Sequence, residues 1–190
     1  MKKESKDSSV PSQEQTFRYW QWIYSKPINA NPLRTGEVNQ DDFIMLPCTG
    51  GGEDCNRILN LSPQDTSKNI LIPVFCCEYS TAEVSLDSTP EELLDLARRD
   101  SSSPTEMECS IDETQLEPHY IESKPFEITV PSDHMLDNKD APPGIYTAVS
   151  VGYWHLLGPL PAGSHKLRFG GSNKDGFHTK VEYTLNVPKS

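Results

Sequence analysis

Long apolar segments are missing from this chain, and so is any excess of basic side chains. No stretch approaches the roughly 20 consecutive apolar residues that span a bilayer as a helix, so no transmembrane segment is predicted. The 190 residues carry 17 lysines and arginines against 28 aspartates and glutamates, a net charge of −11. Nucleic-acid backbones and anionic membrane surfaces attract clustered Lys and Arg, so neither is expected as a partner.

Large aliphatic residues are also scarce. Leu, Ile, Val and Phe make up about 22% of the chain, just above the roughly 20% below which a highly charged chain tends to be disordered. The hydrophobic core must therefore be small and confined to part of the chain. Sixteen prolines against 11 glycines favour short elements and many turns over a helical bundle, and the length suits one domain, or one domain plus a tail.

Residues 1–15 contain only two apolar side chains, Met1 and Val10. This composition predicts a disordered polar tail, followed by a single domain over residues 16–188. A lysine- and serine-rich tether of this kind follows the lipidated cysteine of many bacterial lipoproteins, although no apolar signal-peptide segment follows Met1. We therefore expect an extracellular or periplasmic protein, lipid-anchored to the cell envelope. A cytosolic protein with a frayed N-terminus is the alternative.

Two segments carry helix signals. Ser12 to Gln15 fits a capping box, and Phe17, Trp20, Ile23 and Tyr24 follow at helical spacing, although the same residues also alternate as a strand would. Thr89-Pro90-Glu91-Glu92 combines a capping Thr, a Pro at the first helical position and a Glu at the third, which predicts a second helix ending near Asp100.

Strand signals dominate the rest of the chain. The runs 43–46 and 70–75 are apolar, and Pro73 makes the second an edge strand or a bulge. From Lys124 onward, apolar and polar residues alternate around Ile128, Phe169 and Tyr183. Such alternation is typical of antiparallel strands with one wet face. The sequence therefore predicts a mainly β fold, an antiparallel β-sandwich of jelly-roll or immunoglobulin-like type with two peripheral helices.

The five cysteines do not form zinc-site spacings. A glycine-rich loop separates Cys48 from Cys55 and can bring them into disulfide range, while Cys109 can pair with either Cys76 or Cys77. Five reduced, buried thiols in a cytosolic protein are the alternative. We expect the disulfides, which would leave one cysteine free.

Common catalytic signatures are absent, and we expect no cofactor and no metal site. Gly50-Gly51-Gly52 precedes two acidic residues rather than Lys-Ser, so it does not suit a phosphate. Three carboxylates crowd one segment, Glu78, Glu83 and Asp87, and paired carboxylates can act as acid and base. His165 falls in phase with inward-facing residues and is expected to be structural, and a Cys-His nucleophile pair stays open because such pairing is spatial.

Aromatic residues give the binding candidates, Tyr153, Trp154, His155, Trp20 and Trp22. Tyr153 and Trp154 are adjacent in a strand-like segment, so they face opposite sides and cannot both enter one core. An exposed aromatic can bind a sugar ring or an apolar partner. The alternative is that a peripheral helix or the second sheet covers it.

The chain resembles an uncharacterised family of bacterial exported proteins and lipoproteins. The resemblance rests on Gly144-Ile145-Tyr146-Thr147-Ala148-Val149-Ser150, Gly152-Tyr153-Trp154, Pro159 to His165, Phe169-Gly170-Gly171 and Val181 to Val187, with looser matches at Trp20-Gln21-Trp22 and Ile72-Pro73-Val74. Members usually carry Asp before Gly-Tyr-Trp, where this chain has Val151. The resemblance implies export and a β-rich fold, and it implies no reaction.

These observations lead to two functional hypotheses. The first is an exported, envelope-tethered, non-enzymatic module that binds an unknown protein or carbohydrate ligand, with the oligomeric state open. The second is a small secreted hydrolase that acts on polysaccharide or peptide through carboxylates near Glu78 to Asp87. An enzyme should bring two of five groups together in a cleft: Glu78, Glu83, Asp87, His155 and His165. A binding module should show an aromatic face without such a cluster.

Overall fold

The computed structural model describes residues 9–52, 54–136, 138 and 140–189. Strands hold 41% of the chain and helices 19%, so the protein is mainly β, as the alternation predicts. In the described part of the chain, no helix is long and apolar enough to cross a membrane. The helices are α1 Gln13–Tyr24, α2 Pro32–Thr35 and α3 Pro90–Ser101; the strands are β1 Asn39–Gln40, β2 Ile44–Met45, β3 Asp54–Asn60, β4 Ile70–Ser80, β5 Glu106–Ile111, β6 Thr114–Gln115, β7 His119–Glu122, β8 Phe126–Val130, β9 Gly144–Leu157, β10 Gly163–Ser172 and β11 His178–Val187.

The strands form two sheets. The first has the order β1-β2-β4-β9-β7, with β8 also paired to β9, and the second has the order β3-β11-β10-β5-β6. Most pairs are antiparallel, as expected. The pairs β2–β4 and β3–β11 are parallel, which alternation alone does not reveal because it reports the wet face and not the strand direction.

The buried apolar residues arrange the fold in three layers, which are the second sheet, the first sheet and α1. The two sheets enclose one core, where Ile72 of β4 packs with Phe169 of β10 and Tyr183 of β11. A second core lies on the other face of the first sheet, where Tyr19 and Trp20 of α1 cover it. The first sheet is therefore buried on both faces, which explains why β4 is an almost continuous apolar run.

Both predicted helices are confirmed, and both begin with a capping box. Ser12 caps α1 through Gln15, and Thr89 caps α3 through Glu92. Residues 9–15, which composition assigns to the tail, belong to the folded domain, since the Leu156 amide donates to the Ser9 carbonyl at 2.9 Å. The rest of the predicted tail, residues 1–8, lies outside the described residues.

Candidate ligand-binding cavity

One edge of β4 is left without a partner strand over most of its length. β2 pairs with β4 only through Ile44–Ile70 and Met45–Leu71, and among the described residues no strand continues beyond that point. Pro73 lacks an N–H to donate, and the register against β9 shifts between Pro73 and Phe75. The edge or bulge predicted from Pro73 is therefore confirmed.

A cavity of about 470 Å³ lies beside this edge, and we call it the β4 cavity. Its size is within the range of sites for small molecules. The walls come from β4, from α1, from the end of α3, from the segment after β2 and from the turn that joins β10 to β11. The lining residues are Trp20, Tyr24, Leu33, Cys48, Thr49, Gly50, Pro73, Cys76, Cys77, Glu78, Tyr79, Glu83, Asp100, Ser101, Met135, Leu136, Asn173, Asp175, Phe177 and Thr179.

Glu78 is the most unusual group in the wall. Only 6% of it is exposed, yet neither carboxylate oxygen accepts a hydrogen bond of good geometry from a described residue. Burial, followed by the negative charge of Glu83, raises the pKa of Glu78 well above its ordinary value. The hydroxyl groups of Tyr24 and Ser80 approach it and offset part of this rise. The environment therefore favours the neutral carboxyl group.

Glu83 provides a second carboxyl group beside the first. It accepts a hydrogen bond from the Ser80 hydroxyl at 2.8 Å, and its proximity raises the pKa of Glu78. Two interacting carboxyl groups titrate as a pair and share a proton over a range of pH. The structure thus brings together two of the five groups that the hydrolase hypothesis requires.

The other three lie elsewhere. Asp87 is exposed in the loop before α3. His155 Nδ1 lies 2.9 Å from the carbonyl oxygen of Glu117. His165 Nδ1 lies 2.6 Å from a carboxylate oxygen of Asp112, and this contact raises the pKa of His165. His165 is thus held as the structural histidine expected from the sequence.

The predicted disulfides are not formed, because all five cysteines are free thiols. Cys109 lies opposite Phe169 in the second sheet, whereas Cys77 turns toward α3 and donates to the carbonyl oxygen of Ala97 at 3.4 Å. Cys48 lies 3.4 Å from the Tyr19 hydroxyl, and Cys55 sits on β3 opposite Val181. Each of these four thiols therefore packs against groups other than its expected partner.

Three thiols line the β4 cavity, Cys48, Cys76 and Cys77. Burial raises the pKa of all three, that of Cys77 to about 12. They are therefore neutral near pH 7 and weak nucleophiles. No histidine is found among the described lining residues, so the cavity does not assemble a Cys-His pair.

Of the five aromatic candidates, only Trp20 reaches the cavity. Trp154 has no exposed surface, because α1 covers it, and Trp22 is buried in the same core. The Tyr153 hydroxyl donates to the Ser102 carbonyl at the end of α3, and His155 is buried. The alternative in which a helix covers the aromatic strand face is therefore correct.

Sequence reasoning did not identify the rest of the wall. Tyr24 stacks on Trp20 with ring centroids 5.8 Å apart, and Phe177, 41% exposed, belongs to the β10–β11 turn. Asp100 and Asp175 add two more carboxylates. Pro73 is the sequence feature that points to this site. A proline that interrupts an apolar strand indicates a strand edge, and other elements must cover that edge.

Comparison with known proteins yields no match to a family model, to a curated protein or to a solved structure. The β4 cavity is therefore the feature from which a function can be proposed.

Proposed function

We propose that the protein is a binding module that holds a small ligand in the β4 cavity. One observation carries this proposal. Two residues that line the cavity carry buried polar atoms without a hydrogen bond of good geometry from a described residue, the Glu78 carboxyl oxygens and the Trp20 indole Nε1. A buried polar group left unsatisfied costs about 1–3 kcal/mol. A ligand that supplies a donor to Glu78 or an acceptor to the Trp20 indole N–H offsets part of that cost.

The shape of the site favours a small molecule over a protein surface or a polysaccharide chain. The cavity lies beside an interrupted strand and is walled on several sides, and its aromatic and aliphatic lining suits a compact ligand with few polar groups. We further propose that this binding takes place outside the cytoplasm. The resemblance to exported proteins supports that location, whereas the free thiols lend it no support.

Thiol protection tests the binding proposal with an internal control. The wild-type protein is screened against uncharged, cationic and anionic fragments by thermal shift. Hits are tested for their effect on alkylation at alkaline pH, where more of the cavity thiols ionise, and alkylation is followed by mass spectrometry. We expect a ligand to raise the melting temperature and to slow alkylation of Cys76 and Cys77, which line the cavity, but not of Cys55, which does not. Fragments that leave alkylation of Cys76 and Cys77 unchanged would contradict the proposal.

A hydrolase is the second candidate. The Glu78–Glu83 pair favours it, because two of the five groups lie together beside a cavity, while the aromatic face expected of a binding module is covered. It ranks second because the unsatisfied atoms of Glu78 and Trp20 are accounted for by a bound ligand without a reaction. A neutral Glu78 can donate a proton to a leaving group while an ionised Glu83 accepts one from water. Release of product from small chromogenic glycosides and peptides, abolished both by Glu78→Gln and by Glu83→Gln, would support hydrolysis. Binding without turnover supports the module.

A further inference from the structure

Carboxylates are not balanced by cations on the wall of the β4 cavity. Four acidic residues line it, Glu78, Glu83, Asp100 and Asp175, and no Lys, Arg or His occurs among the described lining residues. Arg99 lies outside the lining and pairs with Asp100 at 3.0 Å. The chain as a whole carries a charge of −11. A positively charged ligand is therefore attracted and an anionic one repelled.

The Glu78 carboxyl group accepts no hydrogen bond of good geometry, and a protonated amine supplies donors. An ammonium group brings up to three N–H donors and no acceptor. The oxygens of Glu78 receive no hydrogen bond of good geometry, and Glu83 receives one from Ser80 at 2.8 Å. An ammonium between the two carboxyl groups provides donors to Glu78 and removes the repulsion that keeps it protonated.

The aromatic part of the wall favours an organic cation over a metal ion. Trp20 and Tyr24 stack with an interplanar angle of 21°, and Phe177 contributes a third ring. Aromatic faces attract ammonium groups and pack against apolar carbon. Over the described residues, no group of three or more His, Cys, Asp or Glu side chains is placed to hold a metal ion.

We propose that the β4 cavity selects a small organic cation, an aryl- or alkylamine whose ammonium group binds between Glu78 and Glu83 while its apolar part packs against Trp20. This rests on the proposed binding function and specifies its ligand class.

Three matched probes test the ligand class by isothermal titration calorimetry on the full chain. They are 2-phenylethylamine, 2-phenylethanol and phenylacetate, which share a ring and differ in charge. We expect the amine to bind at least about 10-fold more tightly than the alcohol, and phenylacetate to bind more weakly than either. Equal affinity for amine and alcohol, or preference for phenylacetate, would overturn the cation proposal while leaving small-ligand binding intact.

Proton release gives a second readout. The titratable groups that face Glu78 are Tyr24 on α1 and Glu83 after β4, and the neighbouring Cys77 points toward α3. Burial raises the pKa of Tyr24 and Cys77, so both stay protonated near pH 7. We therefore expect the amine, but not the alcohol, to release a proton from the carboxyl pair, measured as a dependence of binding enthalpy on the ionisation enthalpy of phosphate and HEPES buffers.

Glu78→Gln keeps the size of the side chain and removes its charge. It should weaken amine binding by at least about 30-fold and abolish proton release, with little effect on the alcohol. Glu127→Gln, at an exposed position of β8, is the matched control and should change neither. Amine binding that survives Glu78→Gln refutes the assignment of the ammonium site. If fragments of the screen bind and protect Cys76 but 2-phenylethylamine does not, the cation proposal alone fails; if neither the probes nor any fragment of the screen binds, the binding function fails as well.

Discussion

The buried carboxyl group of Glu78 predicts a specific dependence of stability on pH. Its folded-state pKa is raised well above the ordinary value of 4.5 by burial and by Glu83. Between those two values the unfolded chain has lost the Glu78 proton and the folded chain has kept it. Because the folded state then binds more protons, raising the pH favours unfolding. The contribution of Glu78 to stability is therefore present at low pH and is lost as pH rises toward the folded pKa.

The size of this loss follows from linkage. Each pH unit in that window costs about 1.4 kcal/mol of unfolding free energy. The cumulative loss grows with the separation of the two pKa values, and each pH unit is already a sizeable part of the roughly 5–15 kcal/mol that stabilises a typical domain. The side chain of Glu78→Gln resembles the protonated acid at every pH. The free energy of unfolding of the variant should therefore increase relative to that of the wild type as pH rises.

Urea unfolding of both proteins at several pH values from about 5 to about 8 measures this difference. Groups that titrate identically in both proteins cancel, so the difference in unfolding free energy isolates Glu78 and its coupling to Glu83. Glu127→Gln should run parallel to the wild type. Parallel curves for Glu78→Gln as well would show that Glu78 is ionised in the folded protein, and they would remove the physical basis of the cavity argument.

Three further expectations concern the scaffold. Because all five cysteines are free, reducing agent should leave the urea midpoint of unfolding unchanged. Thiol titration of the unfolded chain without reductant should find five thiols, and a smaller number would show that a disulfide is present. Ser12→Ala should cost about 1 kcal/mol of unfolding free energy by removing the α1 capping box, and no loss would mean that the first turn is not coupled to folding. Gly152→Ala should lower the free energy of unfolding by at least about 2 kcal/mol, because a Cβ at this position would lie 2.3 Å from the Cα of Cys76. If the variant unfolds at the same urea concentration as the wild type, β4 and β9 are not so close.

Local signals in the sequence were sufficient for most of the elements. Alternation over residues 126–130 and 181–187 reports a wet and a dry face of one strand, and it needs no knowledge of the neighbours. The capping boxes at Ser12 and Thr89 act within four residues. These elements were therefore predictable, and the structure confirms them.

Pairing across the chain could not be inferred in the same way. Whether Cys76 or Cys77 faces a given partner depends on the register shift between Pro73 and Phe75, since a displacement of one residue exchanges the two faces of a strand. With this shift, Cys77 faces α3 and not Cys109. A sequence with no alignment contains Pro73 as a warning of irregularity, but it does not give the direction of the shift.

The candidate site depends on still more distant relations. In the sequence Glu78 is one of many carboxylates. Its burial without a hydrogen bond of good geometry depends on how other elements pack against β4. Trp20, a binding candidate from the sequence, lines the cavity. Phe177 reaches the same wall from a turn near the end of the chain.

The interrupted edge of β4 connects fold and function. An open strand edge invites pairing with other chains, so proteins cover such edges. Here α1, the segment after β2 and the β10–β11 turn line the space beside the edge, where a further strand would otherwise pair. Because helices and turns do not fill the place of a strand, the cover leaves a cavity, and the alternation of β4 directs Glu78 toward α1. The opening thus arises from how the edge is protected, and its retention of a costly buried carboxyl group is the reason to assign the cavity a ligand.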